Sequence, residues 1–116
     1  MSIERLQSGP RMSQIVKHGG VVYLAGQVAR NAPGASVGEQ TSDILAIVDD
    51  LLAQAGSNKS KLLSVTIWLA DISSFDEMNT VWDAWIDPQN PPCRACVEGK
   101  LAAPQYTVEI MLSAAL

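Results

Sequence analysis

The segment that most restricts the fold lies mid-chain, at residues 62–70, LLSVTIWLA. β-Branched and aromatic side chains crowd it, and Leu63, Val65, Ile67 and Leu69 alternate on one face, as in a strand. The other face, with Leu62, Thr66, Trp68 and Ala70, is mostly apolar as well. A strand of this kind needs cover on both sides, so the rest of the chain is read for what can supply it.

Ser13–His18 and residues 21–29 read as two strands joined at Gly19-Gly20, a pair suited to the positive φ angles of a tight hairpin. Residues 31–36, NAPGAS, have loop chemistry, and Ser36 with Glu39 has capping-box spacing. In the helix that follows, Ile44, Val48, Leu51, Leu52 and Ala55 form one apolar stripe, ended by Gly56. Asp43, Asp49, Asp50 and Gln54 lie opposite and read as a solvated face. A second capping box, Ser74 with Glu77, opens a helix whose stripe is Phe75, Met78, Trp82 and Trp85 and which Pro88 stops. Its tryptophans read as packing residues. Two strands close the chain, at residues 93–100 and 105–112, broken around Ala103-Pro104.

The order is ββαβαββ, an α+β subunit forming one domain over residues 1–116. Two helices cover one face of such a sheet. The second face needs a partner, and copies of the same chain are the simplest source. Composition points the same way: 47% of residues are hydrophobic and only 17% charged, which is apolar for so small a domain. A formal net charge of −4 gives no field to attract a polyanion, so nucleic acid is not expected as a partner. Neither a membrane-spanning run nor a secretory signal is read in the sequence, and the expected location is cytoplasmic.

Reactive side chains are few. The single histidine, His18, adjoins the hairpin glycines and reads as an exposed turn residue. Cys93 and Cys96 have a spacing that suggests zinc or redox chemistry, but residues three apart on a strand point to opposite faces. No second Cys or His pair completes a tetrahedral site, so no metal is expected. Arg94, Cys96 and Glu98 share one face of their strand, and Gln105, Thr107, Glu109 and Met111 share a face of the next. If the two strands are neighbours, Arg94 and Glu109 approach each other. They then make either a structural ion pair or an arginine fork for a carboxylate beside a glutamate that handles water or a proton.

These residues resemble the Rid (YjgF-type) reactive intermediate deaminases. The likeness runs from about Val21 to the C-terminus and rests on Gly26-Gln27 at a strand end, on P-x-R-x-C-V-E at Pro92, Arg94, Cys96, Val97 and Glu98, and on V-E-I at Val108, Glu109 and Ile110. It implies a chorismate-mutase-like subunit in a homotrimer with a central β-barrel and clefts at the subunit boundaries. It further implies hydrolysis of enamine/imine intermediates such as 2-aminoacrylate to 2-keto acids and ammonia, without cofactor. Arg94 would clamp the carboxylate of this small anionic metabolite. Glu109 would serve water or the departing nitrogen, and Cys96 would contribute its backbone carbonyl. Gly26 and Ala25 would lie against the ligand.

Deaminating members typically carry serine where Ala25 stands and a tyrosine in the first strand, where this chain has Met12, Ser13 and Gln14. GSNKSKLLSVTIWLAD and MNTVWDAW look closer to the YoaB-like branch. Alternatives to the deaminase are a non-catalytic metabolite-binding or chaperone-like trimer and, third, an endoribonuclease. The expectation shared by the first two is assembly: light scattering at micromolar concentration should give the mass of three chains, and a monomer would remove both the barrel and the shared cleft.

Overall fold

The computed structural model describes residues 2–116. In chain order it contains β1 (Glu4–Ser8), β2 (Ser13–His18), β3 (Val21–Val28), α1 (Val37–Ala55), β4 (Leu62–Leu69), α2 (Phe75–Trp85), β5 (Cys93–Glu98) and β6 (Val108–Ala115). The strands form one sheet in the order β1-β2-β3-β6-β4-β5, antiparallel except for the β4–β5 pair. Both helices pack on the same face. No helix is long and apolar enough to cross a membrane.

The sequence reading missed β1. Its segment ERLQS has no apolar alternation to mark it, and it is exposed at nearly every position. It is held instead by pairing with β2, Leu6 opposite Ile15, and by a Lys17–Glu4 ion pair of 3.6 Å. The Gly19-Gly20 hairpin forms as expected, with φ of 60° and 79°, values that glycine adopts without a Cβ penalty.

Under the helices the core is continuous. Val22 and Leu24 of β3, Val65, Ile67 and Leu69 of β4, and Val108, Ile110, Leu112 and Ala114 of β6 meet the Ile44, Val48, Leu51 and Leu52 stripe of α1, and all are buried. Leu63 is the exception to the alternation read from sequence. A register shift between Leu62 and Ser64 puts Leu62 into the core and leaves Leu63 at 44% exposure. On the uncovered face Tyr23, Met111 and Val97 stand exposed, beside Thr66, Trp68 and a Ser64–Ser113 hydroxyl pair 2.8 Å apart.

The helix ends differ from each other. Ser36 Oγ accepts the Glu39 N–H at 3.2 Å, and α1 closes on Gly56 at φ 85°. The second capping box does not form. Ser74 donates its hydroxyl to the Asp71 carbonyl at 2.6 Å, because a short 3₁₀ turn at Ile72–Ser74 leads straight into α2. Glu77 reaches across instead and accepts the Gly38 N–H in the first turn of α1 at 2.8 Å. A carboxylate there also favours the positive end of the α1 dipole. The acidic face of α1 is likewise partnered: Asp43 accepts from Asn31 N and Nδ2, and Asp49 accepts the Trp85 indole N–H at 3.0 Å.

β6 begins at Val108 rather than at residue 105, and Gln40 supplies the reason. This fully buried amide donates to the carbonyls of Ala35 and Gln105 and accepts the Thr107 N–H, at 3.0, 3.0 and 2.9 Å. The Gln105 carbonyl also takes the Gly34 N–H. Backbone groups that would have made a ladder are therefore bound to α1 and to the loop before it, which fixes where β6 enters the sheet. Gln40→Leu should strand these groups in the interior and lower stability by about 2–4 kcal/mol, read as a fall in the denaturant midpoint at unchanged slope.

Candidate functional site

Glu109 is the second residue of β6, placed between Val28 of β3 and Trp68 of β4. Val108 and Ile110 on either side of it are buried under the helices, so its side chain projects from the uncovered face. What it meets there is set by a β-bulge. From Leu24, opposite Leu112, to Gln27, opposite Ile110, β3 advances three residues while β6 advances two, so Ala25 and Gly26 share the space of one. A Cβ on Gly26 would lie 3.2 Å from Glu109 Cδ and closer still to Oε2. The carboxylate thus occupies the room left by the missing side chain.

Below the bulge runs a chain of polar side chains. Gln27, 2% exposed, donates Nε2 to the Ala25 carbonyl at 3.0 Å and to Gln14 Oε1 at 2.7 Å, and accepts Arg30 Nη1 at 3.1 Å. The Gly-Gln pair was legible in the sequence. The partnership with Gln14 and Arg30 was not, because nothing local shows that β2 and β3 part just where the bulge begins.

Arg94 sits on β5, the sheet edge, in register with Val65. Val65 faces the helices, and so does Arg94. Its guanidinium lies over the Trp82 and Phe75 rings, 5.3 and 5.8 Å from their centroids, and Nη1 donates to Asn79 Oδ1 at 2.8 Å. Phe75, Asn79 and Trp82 follow at i, i+4 and i+7 on one side of α2, a spacing visible in the sequence and there read only as packing. Cation–π contact of this kind holds a planar cation without neutralising it.

The strand-neighbour expectation for Arg94 and Glu109 is therefore corrected. β5 and β6 are separated by β4, and the two side chains leave opposite faces of the sheet. They make no ion pair within one chain. The physical reason is the parallel crossover through α2, which carries β5 to the outer side of β4 while β6 returns to the inner side.

Cys96 shares the face of Arg94, in register with Ile67, and packs partly buried against the core. Burial pushes its thiol pKa up, and the Arg94 charge offsets this only in part, so at neutral pH it is a thiol rather than a thiolate. Cys93 lies on the other face, its Sγ 3.2 Å from the Leu63 carbonyl, so the two sulfurs diverge as strand alternation requires. Glu98 is structural, accepting the Ile72 N–H at 3.0 Å. His18 is exposed, its Nδ1 3.1 Å from the Ser2 carbonyl. Among the described residues no group of three His, Cys, Asp or Glu side chains gathers as metal ligands do.

A sheet with two helices on one face, a bulged glycine beside a glutamate and an edge arginine seated on aromatic rings define the class of protein. The family model described as Endoribonuclease L-PSP matches residues 2–116. RutC family proteins are similar along the whole chain: one from Haemophilus influenzae is 42% identical over 114 residues, covering 98% of each chain. The RutC family protein YoaB of Escherichia coli is 41% identical over 116 residues, covering 100% of each. A crystal structure of a YjgF family member from Neisseria meningitidis superposes with a TM-score of 0.95 at 42% identity, covering 99% of this chain and 95% of that one. The chain belongs to this L-PSP/YjgF (Rid) family.

The crowding at Gly26 is open to direct test. Glu109 is flexible at its far end, so Gly26→Ala should cost less than about 1 kcal/mol of stability while displacing the carboxylate. In a Glu109→Ala background that cost should vanish, a non-additivity measurable by a double-mutant cycle of denaturation midpoints.

Proposed function

We propose that the protein hydrolyses reactive enamine/imine intermediates of the 2-aminoacrylate type to 2-keto acids and ammonia, at clefts shared between copies of the chain in a homotrimer. The observation that carries this reading is the placement of Arg94 and Glu109. Each is held in a defined seat, yet on opposite faces of the sheet and separated by β4. A second copy whose β5 edge approaches Gly26 and Glu109 would bring the two functions together, and the uncovered sheet face supplies the apolar surface for such an assembly.

The chemistry asked of each group is modest. One N–H of Arg94 is spent on Asn79, and the rest of the planar fork is available for a carboxylate by charge-assisted hydrogen bonds. Once the enamine tautomerises to an iminium, water adds to the imine carbon and gives up a proton. Glu109 accepts that proton and returns it to nitrogen, after which the C–N bond breaks, the electron pair leaves with ammonia and the carbonyl forms. Cys96, held as a thiol, takes no covalent part and offers its backbone carbonyl.

A second reading draws support from Ala25, a methyl group beside the bulge where deaminating relatives place a hydroxyl: the cleft could bind the same metabolites without turnover. Enzymatically generated 2-aminoacrylate separates the two, since only the deaminase accelerates its loss to pyruvate and ammonia. Endoribonuclease activity, the printed description of the family model, would require RNA cleavage that disappears in Arg94→Ala.

Under the deaminase reading Arg94→Ala should lower kcat/KM by about two orders of magnitude or more, about 2–4 kcal/mol of transition-state stabilisation. Arg94→Lys should rescue weakly, because it keeps charge and loses the fork. Glu109→Gln should spare 2-keto acid binding more than turnover. An Arg94→Ala protein that melts lower yet binds and turns over normally would reduce Arg94 to a structural cation.

A further inference from the structure

The polar chain beneath the bulge has a fixed direction. Arginine carries only donors, so Gln27 must present its oxygen to Arg30. The Ala25 carbonyl accepts only, so Gln27 must present its nitrogen there. These two constraints agree and leave no freedom to flip the amide. Gln27 Nε2 then donates to Gln14, which must turn Oε1 inward at 2.7 Å. The Gln14 N–H₂ group is what remains, directed away from Gln27. Gln14 precedes Ile15, which is buried under the helices, so strand alternation turns it toward the face from which Glu109 projects.

From this polarity we infer that Gln14 is a ligand-orienting residue, a donor-only corner facing the acceptor-only carboxylate of Glu109 across the Ala25–Gly26 bulge. The inference rests on the cleft proposed above. A bound 2-imino acid presents two kinds of edge: oxygens that accept, and an iminium N–H that donates. The donor corner takes an oxygen and repels the iminium, while Glu109 takes the N–H. Together they admit one of the two ways the imine can lie across the glycine, the one that puts its nitrogen beside the group serving it. Arg30 and Gln27 act as positioning residues that hold the polarity from outside the cleft.

The test uses 2-oxobutanoate as probe, with calorimetric binding and melting temperature measured on the intact protein. Gln14→Met, close in shape but without donors, should weaken binding about tenfold at little change in melting temperature. Gln14→Glu, which replaces the donor with an acceptor, should weaken it further. Arg30→Met, remote from the ligand, frees the Gln27 amide to turn and should cost a smaller but measurable factor of about three. Unchanged affinity in Gln14→Met and Gln14→Glu, with Arg94→Ala still abolishing binding, would overturn the role of Gln14 and leave the cleft intact. Normal binding in Arg94→Ala would mark failure of the cleft itself.

Discussion

The last strand to be synthesised holds the sheet together. β6 pairs with β3 on one side and β4 on the other. Without it the N-terminal meander β1–β3 and the β4–α2–β5 crossover have no common edge. Its four helix-facing residues, Val108, Ile110, Leu112 and Ala114, are all buried in the centre of the core. Where β6 starts is decided by one buried amide, Gln40, which binds the backbone of the segment just before it. Register then fixes everything downstream. A shift of one residue would turn Glu109 into the core and Ile110 out of it.

With that register set, the candidate site follows from two local departures from regular structure. The bulge at Ala25–Gly26 opens a space beside β6 that a side chain would have closed, and Glu109 fills it. At the far edge, the parallel β4–β5 pair places Arg94 over α2, where Phe75, Asn79 and Trp82 hold its guanidinium by stacking and one hydrogen bond. Both groups are positioned by packing rather than by each other. That separation is what makes an assembly of copies part of the functional reading and not an accessory to it.

Much of this was legible in the sequence and some of it was not. The hairpin glycines, the α1 stripe and the Ser36 cap follow from local rules, and the structure has them where those rules put them. β1 was invisible because its stability comes from pairing with β2 and not from its own pattern. Leu63 and the second capping box were misread for the same reason: a bulge and a 3₁₀ turn override the local rule, and neither leaves a mark in spacing. For the site, residue types and strand faces were readable, including the divergence of Cys93 and Cys96. Strand order was not, since a crossover can return β6 to either side of β4 from the same residues. The adjacency of Arg94 and Glu109 depended on that choice.

Subunit mixing tests the central claim most directly. Homo-oligomers of Arg94→Ala and of Glu109→Gln should each be nearly inactive toward 2-aminoacrylate. Unfolded together in equal amounts and refolded, they should regain activity, because a site built from Arg94 of one copy and Glu109 of the next is intact in about a quarter of random pairings. Recovery approaching that fraction is the predicted result. If the mixture stays as inactive as its parents while a refolded wild-type control recovers fully, the two residues do not meet across copies and the shared cleft is contradicted.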